Sequence, residues 1–491
     1  MFFSVYTLGC KLNQLETEAI TGAFSRQGFT FVPWSAPYTP APELMVVNTC
    51  TVTSMAEQKA RRFIRKLLRE YPAMCLVITG CYAQVEQDTL CALEPPSGGG
   101  RRLFVVPGES KDRLLDLPRV LSEAAGEDKT DSLPALIASW FETFSSRQSR
   151  VENIDDDSAA FRLQPEDFAS HSRAFLKVQD GCDRRCTYCR VSIARGKSRS
   201  LAAAEALQTL QALEKKGFAE AVIAGVNITQ YRCGDLGLAE LLDFLLAGTK
   251  NIRLRLSSIE PDPDWLSGSR LNDFAGVLGN SRIRPHFHLS VQSGSAEIIA
   301  KMGRAYTPQD IVNTAALLRS VRADPFLACD IIAAFPGETE KDFEKTVALC
   351  ESIGFAWIHA FPFSPRPGTA AYSFGERVSD REAAQRVQRL TALAHSGRQD
   401  YIARWVGKET EAIIETGKPS TSPQGTISAI PAVSENYLKL LVACGTEPPP
   451  APGSLVNCRI LAAPPADSRY DAAAELVQIN NDKHHSPPLV F

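Results

Sequence analysis

Gly181-Cys182-Asp183-Arg184-Arg185-Cys186-Thr187-Tyr188-Cys189 sets three cysteines in a C-x-x-x-C-x-x-C array directly after the apolar run Phe175 to Val178. One short loop thus supplies three thiolates, not four. An iron-sulfur cube takes four ligands, so a three-thiolate holder leaves one iron free to bind something that is not protein. A structural zinc would want a fourth ligand close by. The next cysteine is Cys233, and no histidine lies within the array.

Working outward, the array follows the first of a series of strand candidates. These are Phe175 to Val178, Glu220 to Ala224, Ile252 to Leu256, His286 to Val291, Leu327 to Ile332 and Ile358 to Phe361, with helical segments such as Leu201 to Lys216 and Pro308 to Arg319 between them. Six βα units in a row predict a partial (β/α)6 barrel over 173–400. Active sites in such barrels lie at the carboxyl ends of the strands, where the three-cysteine loop falls.

Upstream, residues 1–118 show a short apolar strand candidate ending at a cysteine three times: Ser4 to Leu8 before Cys10, Leu44 to Val47 before Cys50, and Leu76 to Thr79 before Cys81. Helix candidates intervene, notably Glu57 to Glu70, where Ala60, Phe63, Ile64, Leu67 and Leu68 recur at helical spacing. Alternation of this kind predicts a parallel α/β sheet, and loops at the carboxyl ends of its strands gather on one edge. The three cysteines are therefore expected to converge. Residues 119–172, rich in Ser, Asp, Glu, Arg and Pro, read as a linker with an acidic run at Asp155-Asp156-Asp157 and a helical piece near Leu133 to Phe144. Past the barrel, residues 401–470 carry short strand candidates at Glu411 to Glu415, Tyr437 to Ala443 and Leu455 to Leu461 among Gly and Pro clusters, which predicts a small β-barrel. Residues 471–491 read as a tail.

With 491 residues and 44% hydrophobic content, the chain is long enough for about three cores. Net charge is −3, so any nucleic-acid surface must be local. Thirteen cysteines in a long chain without a secretory leader point to a reducing cytoplasm, not a disulfide scaffold. No apolar run approaches the roughly 20 residues of a membrane helix, so no membrane partner is expected.

The motifs together resemble the methylthiotransferase family of radical S-adenosylmethionine (SAM) enzymes over nearly the whole chain. The resemblance rests on Thr7-Leu8-Gly9-Cys10-Lys11-Leu12-Asn13-Gln14, Val47-Asn48-Thr49-Cys50, Thr79-Gly80-Cys81-Tyr82-Ala83-Gln84 and the three-cysteine loop. Within the barrel it extends to Ala194-Arg195-Gly196, Ala224-Gly225-Val226-Asn227, Ser257-Ser258-Ile259-Glu260-Pro261, Gln292-Ser293-Gly294 and the run from Asp330 to Glu340. Val191-Ser192-Ile193 stands where the family more usually has a Pro-Tyr pair. The C-terminal barrel, with Gly407-Lys408-Glu409 and Ser434-Glu435-Asn436-Tyr437, is similar to the family's RNA-binding TRAM domain, and Gly417 to Ala432 reads as an insertion or divergent hairpin.

The resemblance implies two 4Fe-4S clusters. Cys182, Cys186 and Cys189 would hold the one that binds the amino and carboxylate groups of SAM and cleaves it to a 5′-deoxyadenosyl radical. Cys10, Cys50 and Cys81 would hold an auxiliary cluster that carries the sulfur. A SAM cradle at the strand ends would use Gly225 for close approach, Asn227, Ser257 and Gln292 for neutral hydrogen bonds, Asp330 for the ribose hydroxyls and Arg304 for the SAM carboxylate. Three branches are open: threonylcarbamoyladenosine in tRNA, isopentenyladenosine in tRNA, and an aspartate of a ribosomal protein. The Lys11 to Glu18 opening looks most like the first, whose base lies 3′ of the anticodon. Expected partners are the tRNA anticodon stem-loop, SAM and a one-electron donor such as flavodoxin or ferredoxin.

Between Gly181 and Ser200 there are six basic residues against one acid, and Arg61, Arg62, Arg65, Lys66 and Arg69 form a second basic cluster, so phosphate contacts are expected at both. A contrary reading is an RNA-binding protein without catalysis whose cysteines hold structural zinc, although neither cysteine set has an evident fourth ligand.

Overall fold

A computed structural model describes residues 1–34, 41–94, 101–126, 132–145, 159–165, 168, 171–263, 268–417, 420–421, 427–444, 449–462 and 469–479. The N-terminal sheet runs in the order β2-β1-β3-β4-β5, all parallel, from β1 (Phe2–Thr7), β2 (Thr30–Phe31), β3 (Leu44–Thr49), β4 (Cys75–Gly80) and β5 (Leu103–Val105). Every residue of β3 and β4 is buried, as continuous apolar runs at the centre of a two-faced parallel sheet require. The helix Ser54–Glu70 covers one face through Ala60, Ile64, Leu67 and Leu68, and Thr53 caps it by accepting from the Ala56 amide.

The opposite face corrects the expected linker. Helices Leu117–Gly126 and Leu133–Ser145 fold back, and Leu117, Leu121, Ile137, Trp140 and Phe144 join Phe3, Phe24, Val46, Val77 and Phe104 in one core. The apolar spacing of Ile137, Trp140 and Phe144 gives the second helix one sticky face, and the sheet has an uncovered apolar face to receive it. The acidic run at 155–157 lies outside the described residues.

The barrel consists of β6 (Ala174–Lys177), a short antiparallel pair β7 (Gln179–Asp180) and β8 (Arg199–Ser200), then β9 (Glu220–Ala224), β10 (Arg253–Leu256), β11 (His286–Gln292), β12 (Phe326–Ala333) and β13 (Trp357–Pro362). Two parallel three-stranded sheets, β10-β9-β6 and β11-β12-β13, are joined by the bridges Leu254 to Ile283 and Ile259 to Leu289. Six parallel strands thus curve into the expected partial barrel.

The last domain is a closed barrel of β14 (Glu409–Ile414), β16 (Ile427–Ser434), β17 (Lys439–Ala443), β18 (Leu455–Ala462) and β19 (Ala472–Ile479), with β14 pairing to both β18 and β16. Within the region read as an insertion or divergent hairpin, β15 (Ser420–Thr421) pairs antiparallel with β16. The expected tail is corrected as well: residues 472–479 form β19, set between β17 and β18, and Ala472 and Ala474 turn into the barrel core. Small residues made this stretch look unstructured, yet the ring needs it to close.

Candidate active site

The three N-terminal cysteines come together at the carboxyl ends of adjacent strands. Cys10 caps the helix Lys11–Arg26, Cys50 follows β3 and Cys81 opens the helix Cys81–Val85. Gly9 sits at φ 146°, where a Cβ would come 2.7 Å from Asn13 Nδ2 and 3.1 Å from Cys50 Cβ. Gly80, at φ 100°, admits no Cβ at all beside the Thr49 carbonyl oxygen. Both glycines let cysteine backbones approach one another closely. Buried Asn13 ties the loops by donating to Leu8 O at 3.2 Å and Thr49 O at 3.0 Å. Burial pushes the Cys50 thiol up to about 12, and the neighbouring Cys10 and Cys81 add to the shift against donation from the Val52 amide.

The second set sits on a loop clamped at its base by β7 and β8. Gln179 Nε2 donates to Gly181 O at 2.7 Å and Ser198 Oγ at 2.9 Å, while its Oε1 accepts from the Asn227 amide at 2.9 Å. The loop is also pinned to the next turn of the barrel, with Thr187 N donating to Met302 O at 3.0 Å. Cys186 Sγ accepts from Arg304 at 3.2 Å and Cys189 Sγ from the Val191 amide at 3.4 Å. Burial raises the Cys189 thiol to about 12, with Cys186 and Cys182 contributing in the same direction.

Thiols that crowd one another and receive N–H donors at sulfur suit an anionic iron-sulfur cluster, because loading deprotonates them and leaves the charge satisfied. Among the described residues no group of three Cys, His, Asp or Glu side chains is drawn together closely enough to hold a metal ion.

Arg195 joins the two sets. It ends the helix Val191–Arg195, which leads out of the cysteine loop, and is buried across the domain seam. Its Nε donates to Cys81 Sγ at 3.3 Å, one terminal nitrogen to Glu16 at 2.9 Å and Asp180 at 3.0 Å, and the other to Asn13 Oδ1 at 3.0 Å. Lys177 and Lys111 complete the network around Glu16 and Asp180. Burial would raise both carboxyls, but the surrounding cations hold them well below the usual range. A parallel network ties the Cys50 loop to the barrel: Glu57 accepts from Thr51 at 2.6 Å, from Arg190 at 3.4 Å and from Arg366.

Sequence reading points to none of Asn13, Glu16, Glu57 or Arg366 as site residues, and reaches Arg190 and Arg195 only as members of the basic segment between Gly181 and Ser200. A signal was present, since Asn13 and Glu16 interrupt the inward face that Leu12, Leu15 and Ala19 otherwise make apolar.

The expected SAM contacts are distributed unevenly. Gly225 follows β9, and a Cβ there would press on Ile228 and Gln179. Asn227 donates to Glu260 Oε2 at 3.0 Å, and the same oxygen accepts from Arg184 Nε at 2.9 Å. Arg304 lies 3.4 Å from Glu260 Oε1 and donates to Tyr306 and to Ser290 O. Arg304 is thus bound into the wall beside Cys186, and Glu260 gathers Asn227, Arg184 and Arg304 around the cysteine loop. Ser257 Oγ, just past β10, is buried without a partner among the described residues. Gln292 ends β11 in a left-handed conformation at φ 66°. Asp330 stands lower in β12, 3.1 Å from His288 Nε2 and opposite His359, away from the cysteine loop.

Half of the cationic character of that segment is spent inside the protein, where Arg184, Arg190 and Arg195 pair with buried or half-buried carboxylates, while Arg185 and Lys197 stay exposed. Arg62, Arg65, Lys66 and Arg69 remain exposed on their helix. In the C-terminal barrel, Ser434, Asn436 and Tyr437 face the radical barrel: Asn436 donates to Tyr401 at 3.1 Å, Arg255 donates to Ser434 O at 3.1 Å, and Tyr437 stacks on His286 at 4.2 Å.

Comparison with known proteins first defines the class. Residues 176–350 match the Radical SAM superfamily and residues 3–97 match the uncharacterized protein family UPF0004. A threonylcarbamoyladenosine tRNA methylthiotransferase from Treponema pallidum is 39% identical over 89% of this chain and 93% of its own length. The corresponding protein of Bacillus subtilis is 30% identical over 93% of both chains. A tRNA-2-methylthio-N(6)-dimethylallyladenosine synthase from Geobacter metallireducens is 30% identical over 84% of this chain and 86% of that protein. These matches define a radical SAM enzyme, which works with SAM and iron-sulfur chemistry. Within that class, the chain belongs to the threonylcarbamoyladenosine tRNA methylthiotransferase (MtaB) family.

Proposed function

We propose that this chain is a tRNA methylthiotransferase that adds a methylthio group to C2 of N6-threonylcarbamoyladenosine, the base 3′ of the anticodon. The observation that carries the reading is that Arg195, at the end of the helix that follows the Cys182 loop, donates both to Cys81 Sγ of the other cysteine set and to Asp180 at the base of that loop. Cys182, Cys186 and Cys189 would hold the cluster that binds SAM, and Cys10, Cys50 and Cys81 would hold the auxiliary cluster. When bound, these groups supply a carbon radical able to take hydrogen from C2 and the sulfur that replaces it, chemistry beyond any side-chain base.

The chain's own task is to hold geometry and exclude water. Arg304 and Val191 N donate to the sulfurs of the first set, and Arg195 and Val52 N to those of the second. Gly225, Asn227, Ser257 and Gln292 line the strand ends where SAM is to lie, Arg304 fixes the cysteine loop, and Asp330, lower in β12, would offer a carboxylate to ribose hydroxyls. Exposed Arg62, Arg65, Lys66 and Arg69 offer phosphate contacts to the anticodon stem-loop. A flavodoxin or ferredoxin supplies the electron. No helix among the described residues is long and apolar enough to cross a membrane, and a tRNA substrate together with thirteen unpaired cysteines supports a cytoplasmic location.

Mass analysis of tRNA nucleosides from a strain lacking the gene tests this reading. The 2-methylthio form of threonylcarbamoyladenosine should vanish and its unmodified precursor accumulate. Loss of methylthio-isopentenyladenosine in its place would assign the chain to the neighbouring branch, which the Treponema relative's higher identity disfavours.

A further inference from the structure

A domain held to its neighbour at one point can still turn about that point, so the Arg195 fork alone would not fix how the two cysteine sets face each other. Glu57 supplies a second attachment, and it does so through other residues. It stands in the first turn of the helix Ser54–Glu70 and is buried. Its Oε1 accepts from Thr51 Oγ1 at 2.6 Å, from Arg190 at 3.4 Å and from Arg366, while Arg61 lies 4.0 Å from its Oε2.

These partners lead to the cysteines of both sets. Thr51 directly follows Cys50. Arg190 directly follows Cys189, and its other terminal nitrogen donates to Glu86 at 2.9 Å, just past the helix Cys81–Val85. Arg61 donates to the hydroxyl of Tyr82, which directly follows Cys81. One carboxylate is thus a single partner away from the neighbours of Cys50, Cys81 and Cys189. Adjacent Cα atoms are about 3.8 Å apart, so a shift at Glu57 reaches these cysteines with little chain to absorb it.

Arg366 adds a second route from the same helix turn. It also donates to Thr51 Oγ1 at 3.1 Å, and nearby Ser364 Oγ lies 3.0 Å from Ser54 Oγ. Farther along that segment, Ala371 N donates to Thr187 O at 2.7 Å, between Cys186 and Cys189. The charge on Glu57 closes the cluster, because Arg190 and Arg366 are both buried and would repel without a carboxylate between them. An uncharged side chain of the same size would let them part and carry Cys189 away from Cys50.

We propose that Glu57 is a positioning residue that sets the Cys182, Cys186 and Cys189 set in register with the Cys10, Cys50 and Cys81 set, and so couples SAM cleavage to methylthio transfer. This rests on the reading of the chain as a methylthiotransferase with two clusters. Glu57 acts through Thr51, Arg190 and Arg366, not on the reacting atoms.

The test compares anaerobically reconstituted wild type with Glu57→Gln and with Leu121→Ala, a control that loosens the N-terminal core on the far side of its sheet. Iron per chain, methylthio nucleoside formed per 5′-deoxyadenosine, and the magnetic interaction between the two reduced clusters by electron paramagnetic resonance are read for each. Glu57→Gln should keep about eight iron atoms and still release 5′-deoxyadenosine. Its product ratio should fall about 10- to 100-fold, the scale of a misplacement on the order of 1 Å, and the interaction between the clusters should change. Leu121→Ala, with its melting temperature lowered at least as far, should keep both. Arg366→Gln should lower the ratio too, and the double variant should be no worse than the poorer single, because both act through one contact. A wild-type ratio and interaction in Glu57→Gln overturn the proposal. So does an equal loss in Leu121→Ala, which would reduce Glu57 to a stability contact. If Glu57→Gln does not load, Glu57→Asp decides: the charge stays, the reach shortens by a methylene, and a wild-type ratio there overturns the proposal. If wild type forms no methylthio nucleoside, the function itself was misread, and an unchanged interaction between the clusters in Glu57→Gln would then overturn the positioning role as well.

Discussion

Arg195 Nε lies 3.3 Å from Cys81 Sγ, so a guanidinium rooted beside the Cys182 loop ends on a sulfur of the other cysteine set. The same guanidinium carries Glu16 from the N-terminal domain and Asp180 from the barrel. One planar fork therefore fixes the distance between the two halves of the site, which a flexible lysine would not do.

Arg195→Gln leaves Glu16 and Asp180 buried with less countercharge, and breaking a buried pair in this way costs about 3–5 kcal/mol. Urea unfolding should show a loss of that order. Arg195→Lys keeps the charge but not the fork, and should lose less stability while still lowering methylthio product per SAM cleaved. A variant with wild-type stability and coupling would mean that the seam is held elsewhere.

Gly80→Ala tests the close approach of strand ends. At φ 100° a side chain is strained, and its Cβ would fall on the Thr49 carbonyl. Strain and clash together should cost about 2 kcal/mol or more. The displacement falls on Cys81, so the variant should load less iron while still producing 5′-deoxyadenosine from SAM. Gly28→Ala, where nothing lies within 4 Å, is the matched control, although its own φ of +80° adds some strain.

Acid should loosen the joint between the radical barrel and the C-terminal barrel. Burial would raise the Glu220 carboxyl, but Arg255, Arg284 and Arg173 overcome it and hold it down at about 2. A carboxylate depressed in the folded state stabilises above its unfolded pKa, and that contribution fades as pH falls towards the folded value. Its contribution is thus complete at neutral pH and lost between about pH 4.5 and 2, amounting to roughly 3 kcal/mol. Unfolding free energy measured across that window should fall steeply in wild type. Glu220→Gln should be less stable at pH 7 and show a shallower slope below pH 4.5.

How much of this the chain announces in advance depends on range. Cys10, Cys50 and Cys81 stand at the ends of apolar runs, and a parallel sheet has no choice but to bring such ends together, so their convergence follows from local pattern. The Cys182 loop is local too, because its spacing is the site. Arg195 was visible as a motif residue, but its partners are 15 to 182 positions away in sequence and no periodicity connects them. Residues 133–145 looked like linker because their purpose, covering one sheet face, exists only once the sheet has formed. The alanines of β19 carry little β signal, and only pairing with β17 and β18 gives them a strand's place. Arg304 was expected to be free for a ligand, and its engagement with Glu260 and Tyr306 depended on where three other loops lie.

The most direct measurement is iron and product counted together after anaerobic reconstitution. Wild type should hold about eight iron atoms per chain, as two cubes require. Cys182→Ala/Cys186→Ala/Cys189→Ala should keep about four and release no 5′-deoxyadenosine. Cys10→Ala/Cys50→Ala/Cys81→Ala should also keep about four, release 5′-deoxyadenosine, and form no methylthio nucleoside. Methylthio product from that last variant, or a full iron complement in either, would contradict two separate clusters acting on one base.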